Sequence, residues 1–269
     1  MAEPIISVEG LTVEYEGKRV LDSVSLEIQR GEVMVLLGGS GSGKTTMLRH
    51  IIGLERPTAG TVRVRGVDIN GCSAEELKAI RCAMGVAFQE AALFNSLSVE
   101  DNINFPIREL TTLADPVIEI MTYMKLAAVG LAESGNLMPQ ELSGGMKKRA
   151  AVARATALDP EILVFDEPSA GLDPIVAAGL DELILFLKKA FQMTILVVTH
   201  ELASAFRIAD RLAMLYRGSL IAVGTKDAFR ANPHPRIRQF LDRQPDPITQ
   251  SAAVQTHIRE LAGLTGAKT

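Results

Sequence analysis

Apolar and polar residues alternate from Ile5 to Tyr15 and again from Val20 to Ile28, on either side of Glu16-Gly17-Lys18. Alternation with a period of two buries one face of a strand, so this opening predicts a β-hairpin with one face in the core. The pattern then changes. Val33 to Leu37 is apolar without interruption, which predicts a strand buried on both faces, most simply in a parallel sheet. Glycines follow, and Lys44 to Leu54 reads as a helix. Thr61–Val64 and Val67–Ile69 flank Gly66 and predict a second strand pair. Ser73 followed by Glu76 is a helix-opening capping box, and Met84–Phe88 predicts a short strand ending at Gln89.

From Glu90 to Ala157 the period becomes helical, punctuated by Pro106, Pro116 and Pro139. Strand patterns return at Ile162–Phe165, Thr194–Thr199, Leu212–Tyr216 and Leu220–Val223, with an amphipathic helix over Ile175–Phe191. The fold class expected is therefore α/β: a core over about 1–89 and 158–225, an antiparallel β portion at its start, and a helical insertion over about 90–157. Gln244-Pro245-Asp246-Pro247 reads as a linker. It separates a domain over 1–242 from a short Ala/Thr-rich tail over 243–269, which suits a tether to a neighbouring subunit or a small partner. Pro235 to Leu241 predicts a short helix with Ile237, Phe240 and Leu241 on one stripe.

Composition narrows the classes. Net charge is −4 with acids and bases interspersed, which argues against nucleic acid as a partner. The two cysteines, Cys72 and Cys82, form no C-x-x-C and suit a reducing compartment. No secretory leader pattern opens the chain, and its apolar runs fall well short of the ~18 residues of a membrane span. The expectation is an intracellular chain that meets a membrane only through other proteins.

Candidate chemistry sits at the strand ends. Gly38, Gly39, Ser40, Gly41, Ser42, Gly43, Lys44 and Thr45 fit G-x-x-x-x-G-K-[ST] between a buried strand and a helix, with Thr46 next. Glycines there let backbone N–H groups crowd around phosphate oxygens. The lysine adds a point charge, and the threonine hydroxyl suits Mg²⁺. Asp166 and Glu167 end the Ile162–Phe165 strand, where ligands bind in open α/β sheets. Asp166 suits a metal held through water, and Glu167 suits a base acting on water. Gln89 and His200 also follow strands, so either can face the same edge. Tyr15 is equally a core aromatic or a stacking platform for a purine ring. Ser143, Gly144 and Gly145 open a helix and form a second anion-ready end. It reads either as a simple cap or as a site for a phosphate presented by another molecule.

Taken in order, these motifs resemble the ATP-binding cassette (ABC) ATPases over about residues 5 to 240. The resemblance implies a P-loop NTPase core of RecA-like type with the antiparallel β subdomain and the helical insertion. It further implies ATP and Mg²⁺ as cofactors and a head-to-tail homodimer with ATP between subunits. On it, Tyr15 becomes the aromatic contact to adenine, Gly38–Thr45 the Walker A loop, Gln89 the Q-loop, Asp166 the Walker B carboxylate, Glu167 the catalytic base and His200 the switch histidine. Ser169-Ala170-Gly171-Leu172-Asp173 maps to the D-loop. Ser143-Gly144-Gly145 would close on the partner's nucleotide, although Met146 stands where the usual signature has glutamine, and a thioether cannot replace the amide's hydrogen bonds.

The stretch Leu137–Met146, with Ala92-Leu93-Phe94, Asn102–Glu109 and Asn232–Asp242, is similar to the MCE-associated subgroup, which moves phospholipids between bacterial membranes. That implies a peripheral subunit on the cytoplasmic face of the inner membrane, a membrane permease, an MCE-domain protein and a small STAS-domain protein. The alternatives are a cassette serving a different importer or exporter, or a chromosome-maintenance ATPase. The latter would carry long heptad repeats that this chain lacks.

Overall fold

The computed structural model describes residues 3–245. Strands β1 (Ile6–Tyr15) and β2 (Lys18–Ile28) form the expected hairpin. Both turn residues take positive φ, 50° at Glu16 and 77° at Gly17, the backbone that matches the twist of an antiparallel ribbon. Strand β3 (Val33–Leu37) is buried at every position and runs into helix α1 (Lys44–Ile51). Strands β4 (Ala59–Val64) and β5 (Val67–Asp68) add to the hairpin, giving a four-stranded antiparallel sheet in the order β2-β1-β4-β5. Helix α2 (Ala74–Cys82) opens on the predicted capping box: Glu76 N donates to Ser73 Oγ at 3.2 Å and Ser73 N to Glu76 Oε2 at 2.8 Å.

After β6 (Met84–Ala87) come α3 (Val99–Leu110), α4 (Asp115–Ala128) and α5 (Gly144–Ala155), the helical insertion. Then β7 (Ile162–Asp166), α6 (Pro174–Phe191), β8 (Thr194–Thr199), α7 (Leu202–Ile208), β9 (Arg211–Tyr216), β10 (Ser219–Thr225) and α8 (Lys226–Ala231) complete the core. The second sheet has the order β10-β9-β3-β8-β7-β6. Its pairings are parallel except β10 with β9, so β3, β7 and β8 all point their C-terminal ends to one edge.

Two of the three insertion prolines fall where expected. Pro116 lies in the first turn of α4, and Pro139 opens a single 3₁₀ turn. Pro106 instead lies inside α3. An internal proline removes one backbone bond and costs roughly 3 kcal/mol. The helix persists because Val99, Ile103 and Ile107 are buried along one face, and that burial offsets the lost bond.

The chain separates into a unit ending at Ala231 and another beginning at Asn232. The second contains α9 (Pro235–Leu241), where Ile237 is buried and Phe240 and Leu241 are half-buried. The tail expected beyond Pro245 lies outside the described residues.

The insertion is pressed onto the sheet at Gly85 of β6. A Cβ there would lie 2.0 Å from the carbonyl oxygen of Ala155, the last residue of α5. Backbone cannot yield as a flexible side chain does, so Gly85→Ala is expected to destabilise the protein by about 1–3 kcal/mol. A thermal melt of the variant, lowered by several degrees, checks this.

Candidate nucleotide site at the sheet edge

Between β3 and α1 the chain makes the glycine-rich loop. A Cβ at Gly38 would sit 2.5 Å from Ser42 Oγ and 2.6 Å from the carbonyl oxygen of Leu215, so only glycine lets the loop close against β9. Gly43 takes φ 104° and begins α1 with no side-chain cap, and the helix has no acidic residue in its first turn. Its leading N–H groups are thus left for an anion. Ser42 Oγ is buried without a protein partner. Lys44 folds back over the loop, its Nζ donating to the carbonyls of Gly38 at 2.9 Å and Gly39 at 3.2 Å. Gly39, Ser40 and Gly41 form the exposed rim; Thr45 is exposed and Thr46 half-buried.

Strand β7 delivers two carboxylates beside this loop. Asp166 is buried, and its Oδ1 has no protein partner. Burial raises its carboxyl above the ordinary value and the Glu167 charge adds to that, while Lys44, Arg49 and Lys148 oppose it. Glu167 follows in the left-handed region at φ 46°. Its Oε2 accepts from Thr199 Oγ1 at 3.1 Å and His200 N at 3.3 Å, and lies 2.9 Å from His200 Nδ1. Its Oε1 lies 3.6 Å from Lys44 Nζ. The loop lysine, the strand-end glutamate and the histidine after β8 are therefore one connected group. An unpartnered buried hydroxyl, an unpartnered buried carboxylate oxygen and an uncapped helix start fit a polyphosphate with its cation. Among the described residues, no group of three or more acidic, His or Cys side chains is arranged to hold a metal alone.

The other predicted residues sit further out. Gln89 is exposed just past β6, and its carbonyl accepts from Lys148 Nζ at 2.5 Å. Tyr15 ends β1, 44% exposed, with its hydroxyl bonded to Glu55. Ser143 caps α5, its Oγ accepting from Met146 N at 3.3 Å. A Cβ at Gly145 would lie 2.6 Å from Val176 Cγ1, so this glycine brings the helix start close to α6. None of the hydrogen bonds of Ser143, Gly144 or Gly145 reaches the Gly38–Thr45 loop. Two participants escaped sequence reading. Thr199 was legible only as the last residue of a strand, and Lys148 only as one of several basic residues behind the glycines.

Comparison with known proteins places this geometry. The family described as ABC transporter matches residues 21–170. The chain is 44% identical over 247 residues to the "Probable ribonucleotide transport ATP-binding protein mkl" of Mycobacterium tuberculosis (strain ATCC 25618 / H37Rv), covering 91% of this chain and 69% of that one. It is 44% identical over 238 residues to the "Intermembrane phospholipid transport system ATP-binding protein MlaF" of Escherichia coli (strain K12), covering 88% of each. Among solved structures, the dimeric post-hydrolysis ATP-binding cassette MJ0796 bound to ADP and Pi superposes with a TM-score of 0.76 at 29% identity, over 82% of this chain and 98% of that one. A phosphate loop, two strand-end carboxylates and these relatives lead to one conclusion: the chain belongs to the ABC transporter family and is an ATP-hydrolysing cassette.

Proposed function

We propose that this cassette is the nucleotide-binding subunit of a phospholipid transporter of the MCE-associated type. The observation that carries the cargo is the 88% two-way coverage shared with the MlaF protein. In this reading Lys44 turns from the Gly38 and Gly39 carbonyls to the β- and γ-phosphates, and Ser42 and the α1 amides close around them. Tyr15 stacks on the adenine. Thr45, Asp166 and Gln89 would hold Mg²⁺, which would neutralise phosphate charge. Glu167 takes the proton of the attacking water, and His200 steadies that carboxylate and the γ-phosphate. Ser143, Gly144 and Gly145 meet the nucleotide of a second copy, so hydrolysis belongs to a homodimer; the dimeric form of the solved relative supports this.

The same reading places the subunit at the cytoplasmic face of the inner membrane. No helix among the described residues is long and apolar enough to cross a membrane, and attachment runs through the permease. A groove of about 420 Å³ suits a permease helix; Met84, Phe88, Phe94, Phe105, Pro106 and Arg154 are among its lining residues. Phe94 and Phe105 meet edge to face at 5.2 Å while each stays more than two-fifths exposed. An MCE-domain protein and a small STAS-domain protein complete the assembly proposed.

In proteoliposomes carrying the permease, ATP is expected to drive phospholipid movement. Glu167→Gln should lower turnover by ~10²–10⁴-fold while ATP binding persists, and Ser143→Arg should spare binding but stop ATP-driven dimerisation. Wild-type turnover in the first variant would sink the base assignment; movement of ribonucleotides but not lipid would sink the cargo.

An aromatic anchor in such a groove is worth ~2 kcal/mol or more. Phe94→Asp should therefore release the subunit from the permease at unchanged ATP affinity, as read by co-purification and nucleotide titration.

Asp166 gives a pH test. Its folded-state pKa is raised, so the ionised form is a full cost to the nucleotide-free fold above that pKa; the cost fades as pH falls from there toward the unfolded value of about 3.9, below which it is gone. Asp166→Asn should raise the melting temperature of the nucleotide-free protein at neutral pH, with a gain that shrinks on acidification. Mg²⁺ and ATP together should stabilise wild type more than the variant.

A further inference from the structure

Beyond its serine cap, α5 carries two cations that grip main-chain oxygens of the segments following β6 and β7. Lys148 Nζ donates to the carbonyl of Gln89 at 2.5 Å and to that of Glu167 at 3.2 Å. Six residues later Arg154 donates to the carbonyls of Ala92 at 2.7 Å and Ala91 at 3.2 Å. Ala91 and Ala92 both take positive φ, 61° and 51°, which L side chains hold only where the surroundings fix them. Arg154 also lies 5.7 Å from the Phe94 ring and lines the apolar groove. From groove to nucleotide edge, the path runs through one helix: Phe94, Arg154, Lys148, Glu167.

An ammonium offers three donors and no acceptor. Lys148 directs two of them at peptides that follow neighbouring parallel strands, β6 and β7. The ladder has ended there, and among the described residues the Glu167 carbonyl accepts from Ala170 N at 3.2 Å besides Lys148. Burial draws the lysine's pKa down, while Glu90, Asp166 and Glu167 hold it up. A solvated surface lysine would have neither fixed partners nor a desolvated head group.

We propose that Lys148 is a positioning residue for hydrolysis: it pins the peptide of Glu167 to that of Gln89, so that the catalytic carboxylate and the entry to the helical insertion keep one register. This rests on the reading of Glu167 as the base. The lysine touches neither carboxylate oxygen; it acts through the backbone that aims the side chain from its left-handed conformation. A displacement of the groove-lining segment then reaches Glu167 without passing through the nucleotide.

The test uses the full-length protein with Lys148→Met and Lys148→Arg. Loss of two charge-assisted hydrogen bonds should lower kcat in Lys148→Met by about tenfold or more. Affinity for a fluorescent ATP analogue should stay within about twofold, the mark of an interaction that matters to turnover and not to binding. Amide exchange at residues 89–92 and 167–170 should rise, and Lys148→Arg, which keeps a charged multidentate donor, should restore most of both readouts. Unchanged kcat, an arginine variant no better than methionine, or a joint fall in kcat, nucleotide affinity and melting temperature would overturn the proposal. Glu167→Gln measured alongside separates the two ideas: if it turns over normally, the base reading fails, while amide exchange still decides whether Lys148 holds the two peptides. With the base reading intact, adding Lys148→Met to Glu167→Gln should cause no further loss.

Discussion

A carboxylate taken out of water must be met by donors, and Glu167 meets that demand from two neighbouring strands. Its own position follows β7; Lys44 arrives after β3; Thr199 and His200 arrive at the end of β8. Those strands are consecutive in the sheet order β3-β8-β7. Their pairing, Leu37 beside Thr199 and Asp166 beside Val198, brings the donors to one point. A slip of one residue in either pairing would turn the side chains to the opposite face. The continuous apolar burial of β3, β7 and β8 thus does more than fill the core, because it fixes the register on which the charged group depends.

Much of this was legible in the sequence because buried parallel strands read as unbroken apolar runs and the first hairpin as strict alternation. The Ser73–Glu76 box announced α2, and the glycine-rich loop announced itself by its place between a strand and a helix. Which strand neighbours which was not legible, since periodicity reports burial and says nothing of partners. Pro106 misled for a related reason: its local cost was visible, and the buried face of α3 that outweighs it was not. Thr199 and Lys148 escaped because their partners are distant in sequence, 32 residues for Thr199 and 59 and 19 for Lys148.

Asp166 and Glu167 show how adjacent carboxylates acquire different characters. Glu167 has its donors in the protein itself. Asp166 keeps an oxygen without one, and burial favours its neutral form. One carboxylate is complete within the fold, and the other leaves a demand that only something added to the protein can meet. The difference follows from the turn after β7. The left-handed backbone at Glu167 sends the chain back toward β8, where Glu167 N bonds the carbonyl of Val198 at 2.8 Å.

The cap on α5 has a consequence in the valence of a single oxygen. Ser143 Oγ already accepts the N–H of Met146. An aspartate or asparagine would cap that helix equally well. Aspartate would then confront any incoming phosphate with a like charge, and asparagine would present a bulkier, planar group. A hydroxyl has a second lone pair and, more usefully, a proton of its own that rotates freely about the C–O bond. The same atom can close the helix with its lone pair and still offer its hydrogen outward. Serine is the smallest residue that does both, with no side-chain mass beyond the oxygen.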